Sequence, residues 1–228
     1  MYNMDEWKHV FKLDPAKDIS DEVLDQICES GTDAIIVGGT DEVTLDGVLQ
    51  LLSYIRRYSV PVILEISNLE SVTPGFDYYF VPMVLNSQNK KWLVDKQHEA
   101  VVEYGDVINW EEMYAEGYCI MNPPESKVFQ HTDCSLPTED EAIAYARMAE
   151  HLFRLPFYYV EYSGKYGDPN LVEAISNQLS NTKLIYGGGI STKSQAEEMS
   201  QFADMIVVGN AIYENPKEAL KTVKAVKK

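Results

Sequence analysis

Two short apolar segments near the C-terminus each end in glycine, and each precedes a helical pattern. The first is followed by Gly187, Gly188 and Gly189, and the second by Gly209 and Asn210. Glycine lets the main chain turn sharply and approach a ligand closely. A helix that begins after such a turn offers free N–H groups and the positive end of a dipole, which suits a phosphate group. The matched pair therefore predicts two phosphate-binding turns, although each glycine alone could be an ordinary turn residue.

The rest of the chain alternates between apolar segments and helical patterns. The predicted strands cover residues 9–14, 34–38, 61–66, 78–85, 116–121, 157–162, 183–187 and 205–208. Predicted helices lie between and after them, except that residues 68–75 are polar and interrupted by proline. Eight strands alternating with helices predict a parallel sheet, and phosphate-binding turns after strands 7 and 8 favour a closed barrel. We therefore expect an α/β protein, a (β/α)8 TIM barrel over residues 1–228 with an irregular third helix position.

Charge and composition narrow the possible partners. The net charge of −17 over 228 residues argues against a nucleic-acid partner, since no basic stripe could neutralise its phosphates. An anionic substrate must instead be held locally by backbone amides, a few lysines or a divalent metal. The three cysteines have no metal-ligand spacing, and neither a signal-peptide pattern nor a membrane-spanning run is present. These features predict a cytoplasmic protein.

Polar residues at the predicted strand ends are candidates for the active site, because in such barrels the site lies where the strands end. Tyr159, Glu161 and Ser163 alternate along strand 6 and share one side. Asp14 and Thr40, from neighbouring strand ends, offer two hard oxygen ligands, which suits Mg²⁺ completed by water and substrate phosphate. The alternative is that the carboxylates only pair with a lysine or backbone donors. The strand ends together collect Lys12, Asp14, Thr40, Glu65, Asn86, Asn122, Tyr159, Glu161, Ser163, Gly189 and Asn210.

Tyrosine is abundant, with 15 residues in the chain. Most of these side chains are expected in the core, but a minority could line an apolar groove on the side of the barrel. Such a groove would suit a long hydrocarbon ligand.

Six sequence blocks spread over the whole chain resemble the PcrB family, which comprises bacterial heptaprenylglyceryl phosphate synthases related to the archaeal geranylgeranylglyceryl phosphate synthases. The blocks are WKHVFKLDP at 7–15, GGT at 38–40, PGFD at 74–77, YVEYSG at 159–164, YGGGI at 186–190 and VGNA at 208–211. The resemblance implies a TIM barrel without a regular third helix, a homodimer and Mg²⁺ dependence. It also implies transfer of a long prenyl group, expected to be heptaprenyl, from a prenyl diphosphate to the 3-hydroxyl of sn-glycerol 1-phosphate. Because the prenyl substrate resides in the membrane, at most transient membrane contact is expected.

The resemblance also implies a role for individual residues. Lys12 would contact the phosphate-bearing substrate, and Asp14 and Thr40 would coordinate the Mg²⁺. Glu161 would orient or deprotonate the attacking hydroxyl, which makes Glu161 and Lys12 the catalytic candidates. The implied glycerol 1-phosphate site is Lys12, Tyr159, Val160, Glu161, Tyr162, Ser163, Gly164, Gly189, Gly209 and Asn210.

Chain length is expected to depend on where a bulky side chain blocks the groove. Ala100 is small, so it is a candidate for the position that admits long chains, although alanine is also simply a good helix former. Two other functions stay open from the residues alone. One is a sugar-phosphate isomerase or aldolase, since many barrels share a phosphate grip. The other is a non-catalytic protein that binds phosphorylated lipids or metabolites.

Overall fold

In the computed structural model, which describes residues 2–122, 124–162 and 164–227, eight strands close into a parallel barrel. Each strand pairs with the next along the chain, and the last pairs with the first. The predicted TIM barrel is therefore confirmed. In chain order the strands are β1 (His9–Leu13), β2 (Ala34–Val37), β3 (Val62–Glu65), β4 (Tyr78–Val84), β5 (Met113–Ile120), β6 (Phe157–Glu161), β7 (Lys183–Gly187) and β8 (Met205–Val208).

The helices pack around the outside of the barrel, and hydroxyl side chains cap several of their starts. The side chains of Ser20, Thr44 and Thr138 each accept an N–H from the first turn of the helix that follows. π-helical segments, Lys91–Asp95 and Met148–Phe153, precede α3 and follow α5, and short 3₁₀ turns cover Met4–Glu6 and Trp110–Glu112. The α-helices are α1 (Asp21–Cys28), α2 (Leu45–Ile55), α3 (Lys96–Tyr104), α4 (Lys127–His131), α5 (Glu139–Arg147), α6 (Pro169–Ser176), α7 (Lys193–Met199), α8 (Ala211–Glu214) and α9 (Pro216–Val226).

The third helix position is irregular, as predicted. Residues 66–77, all of which are described, contain turns but no helix. The Asn68 amide N–H donates to the Val43 carbonyl at 3.1 Å, and Arg56 on the outside pairs with Asp77 at 2.9 Å. These contacts hold the connection against the neighbouring unit in place of a packed helix.

β5 begins earlier than the sequence indicated. The predicted strand started at Glu116, whereas the observed strand starts at Met113. Glu116 therefore lies within the strand, in register with Pro82 of β4 and Phe157 of β6. Its carboxyl group is completely buried, which is unusual for an acidic residue and explains why it looked like a strand boundary.

Side chains alternate between two apolar cores. Residues that point outward from the strands pack against the helices, and residues that point inward fill the barrel. Large aromatic side chains occupy the interior; for example, the rings of Phe80 and Phe157 lie 5.2 Å apart. This packing leaves the C-terminal ends of the strands as the open, polar end. None of the described helices is both long and apolar enough to cross a membrane.

Candidate active site

A cavity of about 670 Å³ lies at the C-terminal ends of the strands. It is lined by nine of the residues that the sequence pointed to, contributed by five different strand ends or the loops after them. Ser163, which the sequence also pointed to, lies outside the described residues. The nine are Lys12, Asp14, Thr40, Tyr159, Glu161, Gly164, Gly189, Gly209 and Asn210.

Two residues of the predicted substrate block are not among the described residues that line this cavity. Val160 is fully buried in the outer core, because alternation along β6 turns it away from the inward-facing Tyr159 and Glu161. Tyr162 packs against the outer core, and its ring lies 6.1 Å from that of Tyr186. Of the described side chains on β6, those of Tyr159 and Glu161 are therefore the ones that can contact a ligand in the cavity.

The turn after β7 brings the main chain into the cavity. Gly189 has a positive φ of 59°, and a Cβ atom there would lie 2.2 Å from the Lys165 carbonyl carbon. Only glycine fits both the conformation and the space. The helix does not start directly after this turn: Thr192 caps α7 and forms a capping box with Gln195. The N–H groups of Thr192 and Gln195 are taken up by this capping box, and the glycine turn itself lines the cavity where an anion could bind.

The turn after β8 forms a second polar corner. Asn210 precedes α8 and makes no side-chain cap, and its Oδ1 accepts a hydrogen bond from Lys17 Nζ at 2.9 Å. The same ammonium lies 5.0 Å from the centre of the Tyr213 ring. The sequence did not single out Lys17, whose position in the β1–α1 loop was the only signal. Its cation adds to the main-chain amides of this corner.

The floor of the cavity is a hydrogen-bonded group of three side chains inside the barrel. Lys12 Nζ donates to Glu65 Oε1 at 2.5 Å, and the Tyr118 hydroxyl donates to Glu65 Oε2 at 2.8 Å. The Tyr118 ring stacks on Tyr159 with centroids 4.2 Å apart. Burial alone would lower the pKa of Lys12, but the carboxylates of Glu65 and Glu161 outweigh it and raise that pKa. Lys12 is therefore a permanent cation held in a fixed position.

Glu116 lies one inward position before Tyr118 on β5. Neither of its carboxyl oxygens has a hydrogen-bond partner among the described residues. Burial, followed by the nearby charge of Glu65, raises the pKa of Glu116 well above its ordinary value. Burial and the neighbouring negative charge thus favour the protonated, neutral form of this carboxyl group. The sequence missed it because it was assigned to the start of the strand.

Asp14 and Thr40 both line the cavity. A Cβ atom on Gly39, next to Thr40, would lie 2.5 Å from Asp14 Oδ1, so the glycine makes room for the carboxylate. The Asp14 main-chain N–H donates to the Tyr213 hydroxyl at 2.8 Å, and Asp14 Oδ1 accepts the Ala16 N–H at 3.0 Å. Within the described residues, no group of three His, Cys, Asp or Glu side chains could hold a metal ion. Two oxygen donors in one cavity fit only an ion that takes its other ligands from water and substrate, as Mg²⁺ does.

An apolar groove of about 820 Å³ continues from the cavity along the side of the barrel. Ala100, the chain-length candidate, lines this groove beside Trp92 and Trp110. The two spaces meet at a boundary whose residues line both of them. The residues common to both linings are Lys12, Gly39, Thr40, Asp41, Glu42, Val128 and Glu161.

A closed parallel barrel with polar glycine turns after β7 and β8 defines a TIM-barrel protein of the phosphate-binding class. The apolar groove that opens from the phosphate end narrows this class to proteins whose ligand is part anion and part hydrocarbon. The chain belongs to the PcrB family, whose sequence model matches residues 2–227.

Similar proteins agree with this assignment over their whole length. The chain is 62% identical to the heptaprenylglyceryl phosphate synthase of Geobacillus sp. (strain WCH70), with 100% of both chains covered. It is 64% identical to the protein of the same name from Oceanobacillus iheyensis, covering 100% of this chain and 99% of the other. Among solved structures, the (S)-3-O-geranylgeranylglyceryl phosphate synthase of Thermoplasma acidophilum, in complex with sn-glycerol-1-phosphate, matches with a TM-score of 0.85 at 25% identity, covering 97% and 93% of the two chains.

Proposed function

We propose that this chain is a heptaprenylglyceryl phosphate synthase, a prenyltransferase that joins a heptaprenyl group to the 3-hydroxyl of sn-glycerol 1-phosphate and releases diphosphate. One observation carries the proposal: a polar cavity with two anion-binding turns meets a long apolar groove at Lys12 and Glu161. A small phosphorylated alcohol and a long hydrocarbon can therefore react at that boundary. The printed names of the full-length relatives support the same reaction.

The phosphate of glycerol 1-phosphate is assigned to the two turns. Gly189, Gly209 and Gly164 would present main-chain atoms, and Asn210 with Lys17 would add polar side-chain contacts. Anchoring the phosphate there directs the 3-hydroxyl towards Glu161 at the boundary with the groove. Positioning of this kind can supply much of the rate enhancement, because it replaces an encounter in solution with a fixed approach.

The reaction forms a bond between the 3-oxygen of glycerol phosphate and carbon 1 of the prenyl chain. The bond from that carbon to the diphosphate oxygen breaks, and the electron pair leaves with the diphosphate. Glu161 is assigned to accept the proton of the hydroxyl or to orient it. Lys12, held by Glu65, keeps a positive charge beside the reacting anions.

Asp14 and Thr40 would hold Mg²⁺, since both line the cavity and Thr40 also lines the groove. When bound there, Mg²⁺ would supply positive charge to the diphosphate leaving group. We expect Asp14→Ala to lose Mg²⁺-dependent turnover and to weaken Mg²⁺-dependent binding of diphosphate measured by calorimetry. Asp18→Ala, an exposed acid in the same loop, is the matched control. Unchanged turnover in the Asp14 variant would remove the metal assignment.

The resemblance to the PcrB family further supports a homodimer, a cytoplasmic location and at most transient contact with a membrane. Analytical ultracentrifugation at several protein concentrations tests the dimer. A monomer at micromolar concentration would contradict it.

The decisive experiment incubates the purified chain with labelled sn-glycerol 1-phosphate, Mg²⁺ and prenyl diphosphates of twenty to thirty-five carbons. A prenyltransferase yields a labelled, solvent-extractable ether and one equivalent of diphosphate. A sugar-phosphate isomerase or aldolase would leave both substrates unchanged, because glycerol phosphate has no carbonyl group on which such an enzyme could act, and it would not retain the prenyl substrate. A non-catalytic binding protein would retain both ligands and release no diphosphate.

A further inference from the structure

Six described side chains that line the cavity or the groove can carry a positive charge: Lys12, Lys17, Lys91, Lys96, Lys127 and His131. Four of them have contacts that already account for their positions. Lys12 is paired with Glu65, and Lys17 donates to Asn210 in the corner assigned to glycerol phosphate. Lys91 lies over its neighbour Trp92, at 4.6 Å from the ring centre, and Lys96 pairs with Glu99 at 2.7 Å.

The remaining two, Lys127 and His131, lie one helical turn apart on α4. Residues four apart share one face of a helix. Lys127 lines the polar cavity, His131 lines the apolar groove, and Val128 between them lines both. α4 therefore crosses the boundary between the two spaces. This is the place where the diphosphate group of a prenyl diphosphate would join its hydrocarbon chain.

Both side chains point towards the same carboxylate, Asp41 in the loop after β2. His131 Nδ1 lies 3.4 Å from Asp41 Oδ1, and Lys127 Nζ lies 4.0 Å from Asp41 Oδ2. The His131 ring also packs on Trp92, with centroids 4.8 Å apart, which fixes its direction. The Lys127 side chain is 87% exposed, so it can move to a ligand at little cost in lost packing.

The floor of the cavity cannot neutralise a diphosphate alone. Lys12 is its cation, and Glu65, at 2.5 Å, already balances that charge. A diphosphate placed beside Asp14 and Thr40 would therefore meet further carboxylates, Asp41 among them, unless a cation from another element turned towards it. α4 is the element that brings such groups to this edge.

We propose that Lys127 and His131 form the protein's own subsite for the diphosphate of the prenyl substrate, with Asp41 as the anion that holds both side chains in place before the substrate binds. This subsite rests on the proposed prenyltransferase function. On binding, diphosphate oxygens replace the Asp41 carboxylate as the acceptors of the Lys127 ammonium and the His131 N–H. α4 thereby acts on the leaving group at the edge of the cavity that Asp14, Thr40 and Lys127 line together.

The test measures binding rather than turnover. Inorganic pyrophosphate is titrated into the full chain by calorimetry, with and without Mg²⁺, and sn-glycerol 1-phosphate is titrated in parallel. We expect Lys127→Gln and His131→Gln each to weaken pyrophosphate binding about fivefold, the size of a partly exposed charge contact, and to leave glycerol phosphate binding unchanged. Lys127→Arg should restore binding. Lys90→Gln is the matched control, because Lys90 is an exposed lysine on the same side that lines neither space and pairs with Asp95.

The outcomes distinguish a failure of the α4 subsite from a failure of the proposed prenyltransferase function. Wild-type pyrophosphate affinity in both α4 variants overturns the subsite and leaves the prenyltransferase proposal intact. An equal loss for pyrophosphate and glycerol phosphate also overturns it, because it indicates a general change in charge or fold. If the wild-type chain binds glycerol phosphate but no pyrophosphate even with Mg²⁺, the subsite and the prenyltransferase function both fail.

Discussion

Glu150 is a buried carboxylate whose contribution to folding can be predicted from its hydrogen bonds. It lies in the π-helical segment after α5 and accepts main-chain N–H groups from Ser180, Asn181 and Thr182, the nearest at 2.8 Å. The Asn181 side chain donates as well, at 2.8 Å. The carboxylate therefore pins the loop before β7, which leads to the first phosphate-binding turn.

The pKa of Glu150 gives the magnitude. Burial alone would raise it, but the hydrogen bonds from the loop outweigh burial and lower it from 4.5 to about 2. Each unit of pKa difference between the folded and unfolded states is worth about 1.4 kcal/mol, so ionised Glu150 stabilises the fold by about 3 kcal/mol at neutral pH. This stability is present above the unfolded pKa of 4.5 and is lost as the pH falls towards 2.

Urea denaturation of the wild type and Glu150→Gln at several pH values tests this. We expect the variant to be less stable by about 3 kcal/mol at pH 7, and the difference to shrink by about 2 kcal/mol on going to pH 3, because below pH 4.5 the unfolded wild type takes up a proton that the folded state does not yet bind. Glu173→Gln, an exposed glutamate on α6, controls for the general loss of one negative charge. A difference between wild type and Glu150→Gln that stays constant from pH 7 to pH 3 would refute the reasoning.

Three further predictions concern the barrel interior and the site. Glu116→Gln should become increasingly more stable than the wild type as the pH rises above about 4.5, because folded Glu116 keeps a proton that the unfolded chain releases; parallel denaturation curves would contradict this. Glu161→Gln should lower the single-turnover rate about a hundredfold or more while glycerol phosphate binding changes little, and a wild-type rate would exclude it from the chemistry. Ala100→Trp should shift the kcat/KM preference from thirty-five-carbon towards twenty-carbon diphosphates by roughly tenfold, whereas Val102→Trp, at an exposed position outside the groove lining, should not.

The sequence predicted the barrel because its signals were local and repeated. Apolar runs such as those of β2, β3 and β8 are buried along their whole length, as expected of strands covered on both sides. The helix caps are equally local, since Ser20, Thr44 and Thr138 each accept an N–H from a residue three positions later. The predicted start of β5 was wrong because acidic residues are seldom buried inside a strand, whereas Glu116 is fully buried within β5.

The candidate site was predictable to the extent that topology fixes it. In a parallel barrel every strand end reaches the same rim, so Lys12, Asp14 and Thr40 could be grouped without knowing any distance. The pairing of Lys12 with Glu65 could not be predicted, because it joins two strands that do not neighbour each other and depends on their register. α4 lies in a connection without a strong helical pattern, and its placement against Asp41 depends on tertiary contacts.

These contacts explain how a chain of net charge −17 can be arranged to hold two anions side by side. Its cations at the site are held by nearby partners: Lys12 by Glu65, Lys17 by Asn210 and Asp14, and Lys127 by Asp41. The ion pair between Lys12 and Glu65 is short and buried, and Lys12 therefore stays in place when ligands bind. The Asp41 pair is long and exposed, so its lysine can exchange partners at little cost. Because the two pairs differ in burial, Lys12 remains a fixed cation beside the reacting atoms, whereas Lys127 can leave Asp41 and bind the departing diphosphate.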